Sequence, residues 1–242
     1  LIQLGAITAV VVYFWKRVFP FGLQKTEELN VNGGTIEKSK IVSKKDVWIT
    51  WAKVLVACIP AVVALFVDKL FDNLGETQKI IVVGSMLVLY GVAFIIVERI
   101  RKNKMPKVDS VGEISYLNAF LIGCFQVLAA VPGTSRSGVT IIGALILGLS
   151  RTAAAEFTFF LAIPTMIGAS AYKILKFAVK GVEITAPQIS ALVLGMVVAF
   201  VVSMFVIKFL MSFVKNHDFE LFGWYRIVLG ILVVVLCLCI PV

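Results

Sequence analysis

Residues 131–140 read Val-Pro-Gly-Thr-Ser-Arg-Ser-Gly-Val-Thr, a knot of hydroxyls, glycines and one arginine between two apolar arms. These residue types suit a phosphate. Arg136 offers a permanently charged, planar fork that matches phosphate oxygens. Ser135, Ser137 and Thr140 can donate hydrogen bonds to the same oxygens. Gly133 and Gly138 allow close approach of a ligand, and the amides of Thr134 to Gly138 fall at the start of the second arm, where a helix dipole is positive. The competing use of these residues is a plain helix break, its hydroxyls bonding their own backbone and Arg136 snorkelling to lipid head groups. An arginine inside an apolar stretch is costly, and that cost favours the functional reading.

The arms must position this loop. Residues 116–131 and 139–149 are apolar apart from Asn118 and Gln126. One helix over residues 116–149 would be roughly 50 Å long, against a hydrocarbon core of about 30 Å. Pro132 and Gly133 forbid it: proline removes a backbone donor and pushes Val131 out of the helical region. A re-entrant helical hairpin over residues 116–150 is the expected solution. Irregular backbone at membrane depth is tolerated only beside protein or water, so the loop predicts a polar cavity. Gln126, roughly two turns before the loop, has two equal uses, contact with a head group or an interhelical hydrogen bond.

The composition sets the context. Of 242 residues, 60% are hydrophobic and the mean hydropathy is +1.00, which places the chain among all-α polytopic membrane proteins and leaves no room for a large soluble domain. The net charge of +9 sits mainly between apolar segments, where it reads as membrane orientation and not as nucleic-acid binding. Cys58, Cys124, Cys237 and Cys239 lie in apolar segments without paired spacing, so packing is expected, not disulfides or a metal site. The chain opens on Leu1 in mid-run without the pattern of a signal peptide, and a preceding segment is expected.

About six spans follow from the hydropathy: residues 1–19, 47–70, 80–97, 153–172, 184–214 and 221–242. Pro60 reads as a tolerated kink within its span, Pro164 lies inside its own, and residues 20–47, with Asn-Gly-Gly at 32–34, read as a solvated basic loop. The hairpin is expected to enter and leave on the cytoplasmic side, whereas Lys173, Lys176 and Lys180 fall outside, against the positive-inside tendency. The first three spans match the last three in order and approximate length, with opposite starting sides. A single membrane domain of two inverted half-repeats results, 1–104 and 113–242, and symmetry asks for a partner hairpin before Leu1.

The run Pro132-Gly133-Thr134-Ser135-Arg136-Ser137-Gly138-Val139-Thr140 resembles the P-G-x-S-R-S-x-x-T signature of the undecaprenyl-diphosphate phosphatases, or bacitracin-resistance phosphatases. The resemblance extends from Ile2-Gln3-Leu4-Gly5 through residues 150–157 to the end of the chain. It implies hydrolysis of the terminal phosphate of a C55 polyprenyl diphosphate, regenerating the carrier lipid of bacterial wall synthesis. It further implies a multi-pass protein of the bacterial cell membrane with an outward-facing site, and a divalent cation, Mg or Ca, bound with the substrate diphosphate. A homodimer is left open. Arg136, Ser135 and Thr140 become the expected catalytic residues, with Gly133, Thr134, Ser137, Gly138 and Gln126 binding phosphate. The family's first signature, two glutamates four residues apart and a later histidine, has no matching segment here.

Without those groups, Ser135 or Ser137 needs a base within reach to act as nucleophile. His217, beside Asn216 and Asp218, reads as a solvated turn residue. Glu156 is expected to pair with Arg151 or face the cavity, Glu98 to join an interfacial charge cluster, and Gln3 shares the ambiguity of Gln126. Two rival classes remain: a carrier that flips polyprenyl phosphate, since inverted repeats around a midplane site suit alternating access, and a membrane scaffold for wall-building enzymes.

Overall fold

The computed structural model describes residues 1–29, 35–43, 45–71, 74–179 and 185–239. The membrane body is all-α. Its helices are α1 (Gln3–Tyr13), α2 (Trp15–Val18), α3 (Lys45–Cys58), α4 (Ala61–Phe71), α5 (Glu76–Arg101), α6 (Tyr116–Val127), α7 (Arg136–Ile146), α8 (Arg151–Val179), α9 (Ala186–Asn216) and α10 (Glu220–Cys239). Among the described residues, five stretches are long and apolar enough to cross a membrane: Lys45–Ala64, Glu76–Arg101, Arg151–Val179, Pro187–Asn216 and Glu220–Cys239. The sixth expected span is α1, only 11 residues long.

Two features depart from the sequence reading. Residues 21–29 and 35–43 are not irregular: β1 (Phe21–Leu29) and β2 (Thr35–Ser43) pair antiparallel, from Phe21 opposite Ser43 to Leu29 opposite Thr35. The Asn-Gly-Gly run that precedes Thr35–Ser43 is a hairpin signal that the density of lysines concealed. The Asn-Gly-Gly run itself lies outside the described residues, as does Lys180. Pro60 does more than kink its span, since α3 stops at Cys58 and α4 starts at Ala61; proline cannot donate within a helix and its ring displaces the preceding turn. Pro164, by contrast, sits inside a continuous α8.

Several helix contacts are related by exchanging α1 with α8, α3 with α9 and α5 with α10. α1 lies against α9 and α3 against α8, while α5 pairs with α10 and α1 with α8. The α5–α10 pair is antiparallel and its backbones touch. A methyl on Gly91 would lie 2.7 Å from the carbonyl oxygen of Gly223, and one on Gly230 would lie 2.7 Å from that of Gly84. Small residues seven apart on both helices permit this approach, a recurring device where lipid offers no hydrophobic drive for helix association. The core behind them is apolar, with Ile122, Val139, Phe157 and Leu161 fully buried.

Candidate phosphate site

The hairpin forms as expected. α6 and α7 have 12 and 11 residues, each roughly half of a hydrocarbon core in length. Both of its ends are tied at one edge of the molecule. Lys53 Nζ, on a side chain only 5% exposed, donates to the Gly112 carbonyl at 2.6 Å just before α6. Arg101 donates to the Leu145 carbonyl at the end of α7, and the Lys107 amide bonds Gly148 O at 2.8 Å.

Between the arms the chain turns at Gly133, whose φ of +85° is a region that L side chains rarely adopt. A methyl there would also lie 2.5 Å from Val83 Cα, so the loop is seated directly on the α5 backbone. Ser135 caps α7, its Oγ accepting from the Gly138 amide at 3.2 Å and lying 3.1 Å from Ser137 Oγ. The Thr134 amide turns back to Val131 O at 3.1 Å. Thr134 and Gly138 therefore do not offer their amides to a ligand, contrary to the sequence reading. The amides of Ser135, Arg136 and Ser137 bond no described residue and remain for an anion.

Arg136 and Ser137 are exposed at the start of α7, and Arg136 has no hydrogen-bond or ion-pair partner among the described residues. Thr140 is placed differently. It is 1% exposed, its hydroxyl lies 3.0 Å from Arg136 O and 3.1 Å from Ser137 O, and it accepts from Thr158 Oγ1 at 3.0 Å. Its hydroxyl braces the first turn of α7 against α8 and does not face a ligand. Gln126 is buried and its amide bonds no described residue, so the interhelical hydrogen bond is not made. Thr134 Oγ1 is buried without a hydrogen bond of ordinary geometry, with the Tyr90 hydroxyl beside it.

The structure adds a group that the sequence reading missed. Arg226 of α10 reaches the loop from behind: its Nη2 lies 3.2 Å, and its Cζ 3.4 Å, from the point where a methyl on Gly138 would stand. The guanidinium lies 5.7 Å from the centre of the Phe94 ring, and its Nη1 is buried with no hydrogen-bond partner among the described residues. The same rule that singled out Arg136, that a cation inside an apolar span needs a reason, applies to Arg226 within Glu220–Cys239.

The remaining candidates sit elsewhere. Glu156, 7% exposed, pairs with Arg17 and not with Arg151. Arg151 instead binds Glu98 through Nε at 3.1 Å and Nη2 at 2.6 Å. Glu98 thus joins the charge cluster at the end of α5, but from a buried position: it is 2% exposed and also accepts from the Phe219 amide at 3.1 Å. His217 caps α9, exposed and stacked on Phe213 at 4.3 Å, as a turn residue would. Gln3 is exposed on α1.

Comparison with known proteins decides the family. The model for "Bacitracin resistance protein BacA" matches residues 1–232. The chain belongs to this family. It is 52% identical over 236 residues to an undecaprenyl-diphosphatase of Enterococcus faecalis, covering 97% of this chain and 79% of that protein. It is 49% identical over 234 residues to the undecaprenyl-diphosphatase of Desulfitobacterium hafniense, covering 96% of this chain and 77% of the relative. A third, from Lachnoclostridium phytofermentans, is 50% identical over 232 residues, with coverage of 96% and 78%. Membership in this family and the five long apolar helices make the chain a multi-pass membrane protein.

Proposed function

We propose that this chain is a membrane phosphatase that removes the terminal phosphate of a polyprenyl diphosphate. The observation that carries the reading is the pair of arginines without anionic partners at one helical turn. Arg136 stands at the front of the α7 N-terminus, and Arg226 stands behind Gly138. A diphosphate head supplies the missing negative charge. Three unengaged amides and the Ser135 and Ser137 hydroxyls complete the cradle, so charge building on the phosphoryl oxygens during transfer meets donors already in place. Ser135 and Ser137 are the hydroxyls nearest such a phosphate; Thr140 is a brace. The long tail lies along the apolar helix surfaces while the head enters the loop.

The divalent cation implied by the family resemblance does not fit a protein cage here. The loop donors are guanidinium groups, amides and hydroxyls, and no cluster of three His, Cys, Asp or Glu residues exists among the described residues. A cation arriving on the diphosphate oxygens is compatible with this chemistry, and no step above depends on it.

The site is read as facing outward. Val83, on which the loop sits, lies roughly 10 Å from the start of α5 and roughly 27 Å from its Arg101 end at about 1.5 Å per residue. Arg99, Arg101, Lys102, Lys104, Lys107 and Arg151 crowd that far end, the pattern of a cytoplasmic edge. The match of the α1–α9 contact with the α3–α8 contact, and the α5–α10 and α1–α8 pairs that map onto themselves, support two inverted half-repeats, residues 1–104 and 113–242.

Phosphate release from undecaprenyl diphosphate in detergent tests the function. The full protein releases phosphate, and Arg136→Ala lowers kcat/KM by about 10²–10³-fold, the range for losing one preorganised donor of transition-state charge. Translocation of polyprenyl phosphate in liposomes without any release would instead establish a carrier.

A further inference from the structure

A second basic concavity lies at the opposite end of α7 from the phosphate loop. It encloses about 240 Å³ and is lined by Arg101, Lys102 and Lys104 at the end of α5, Arg151 at the start of α8 and Lys215 at the end of α9. One carboxylate, Glu98, borders it, and that carboxylate is already engaged by Arg151 and by the Phe219 amide. Arg101 is held on the Leu145 carbonyl. Lys102, Lys104 and Lys215 are exposed and have no hydrogen-bond or ion-pair partner among the described residues. Three lysines without described side-chain partners thus line one hollow. Leu145, Leu149 and Val214 form its apolar side.

The phosphate loop does not account for this cluster, since α7 alone separates the two by roughly 16 Å at about 1.5 Å per residue. Membrane orientation asks only for lysines at the edge; it does not ask that they close around a cavity. Like charges brought together gain when an anion sits between them, and the cavity has room for a phosphate group with its ester. We propose that this pocket is a binding site for a phosphate-bearing anion. The apolar flank and the basic edge admit an anionic phospholipid head, and a soluble phosphate uses the same ammonium groups.

The test is the melting temperature of the purified full protein in detergent. Arg136→Ala is used as background so that the loop contributes no phosphate binding through that arginine. Phosphatidylglycerol, phosphatidylcholine, inorganic phosphate and chloride are titrated at matched ionic strength. A saturable rise with phosphatidylglycerol alone assigns the pocket to a lipid head. A rise with inorganic phosphate as well assigns it to the phosphate group itself. In either case, adding K102Q, K104Q and K215Q weakens half-saturation by tenfold or more, while the unliganded melting temperature, which reports folding, stays within a few degrees. No rise with either phosphate compound beyond that with chloride and phosphatidylcholine overturns the proposal. So does a rise that the three glutamines leave intact.

Discussion

Arg226 and Gly138 fit one another. The guanidinium tip occupies the space beside Gly138 closely enough that a methyl would stand 3.2 Å from Nη2 and 3.3 Å from Ser135 Cβ. A helix 88 residues downstream in sequence thereby puts a second cation behind the turn that presents Ser135 and Ser137. Gly138→Ala is expected to shift Arg226 by a few tenths of an ångström and to disturb the Ser135 cap. Because the tip of a long side chain can move, the effect is moderate. Phosphate release kinetics should show kcat/KM reduced about 3–10-fold, near 1 kcal/mol of lost transition-state stabilisation, with the fold intact.

Arg226 is also expected to be a stability liability. Its Nη1 is buried with no acceptor among the described residues, and a guanidinium without a counter-charge there costs free energy that the Phe94 ring partly offsets. Arg226→Met keeps the bulk and removes the charge. The expected outcome is a melting temperature equal to or above that of the parent protein, together with a loss of activity of about 10²-fold. A lower melting temperature with activity retained would show that the arginine is structural.

Gly133 has no tolerant replacement. Its positive φ disfavours any L side chain by about 1–2 kcal/mol, and the added methyl would strike Val83 backbone rather than a movable side chain. Gly133→Ala should unseat the loop from α5. Thermal denaturation should register a destabilisation of about 3 kcal/mol or more, and proteolysis should reveal new cleavage near residues 131–135.

The Glu98–Arg151 pair predicts an asymmetry. Arg151→Ala leaves a carboxylate that is 2% exposed with the Phe219 amide as its remaining hydrogen-bond partner among the described residues, and should cost about 3 kcal/mol. Glu98→Gln keeps an oxygen acceptor for that amide and leaves behind an arginine whose side chain is 37% exposed, so its cost should be smaller. Denaturation midpoints of the two variants, measured side by side, check the order.

The hairpin was legible in the sequence because its cause is local: a proline and two glycines in an apolar stretch too long for one helix. Ser135 and Arg136 followed from the same stretch. The functions of its neighbours depended on packing. Thr140 has the same hydroxyl as Ser137, and only its burial against Thr158 separates a brace from a ligand. The Asn32–Gly34 turn signal was visible, but charged residues on both sides made the strands resemble a solvated loop. Arg226 escaped because it sits in a helix whose average hydropathy is high, far along the chain from the loop it serves. The pairing of Glu156 with Arg17, and not with its near neighbour Arg151, reflects how α8 is oriented against α1 and α2.

The touching glycines of α5 and α10 carry a last consequence. Backbones keyed carbonyl against methylene at two levels cannot slide or roll past one another, and no lipid chain fits between them. One helix of this joint carries the seat of the loop, Val83, and the other carries Arg226. The spacing between the loop's floor and its rear cation is therefore a fixed gauge. A change in bilayer thickness that tilts the two helices together would leave that gauge unchanged.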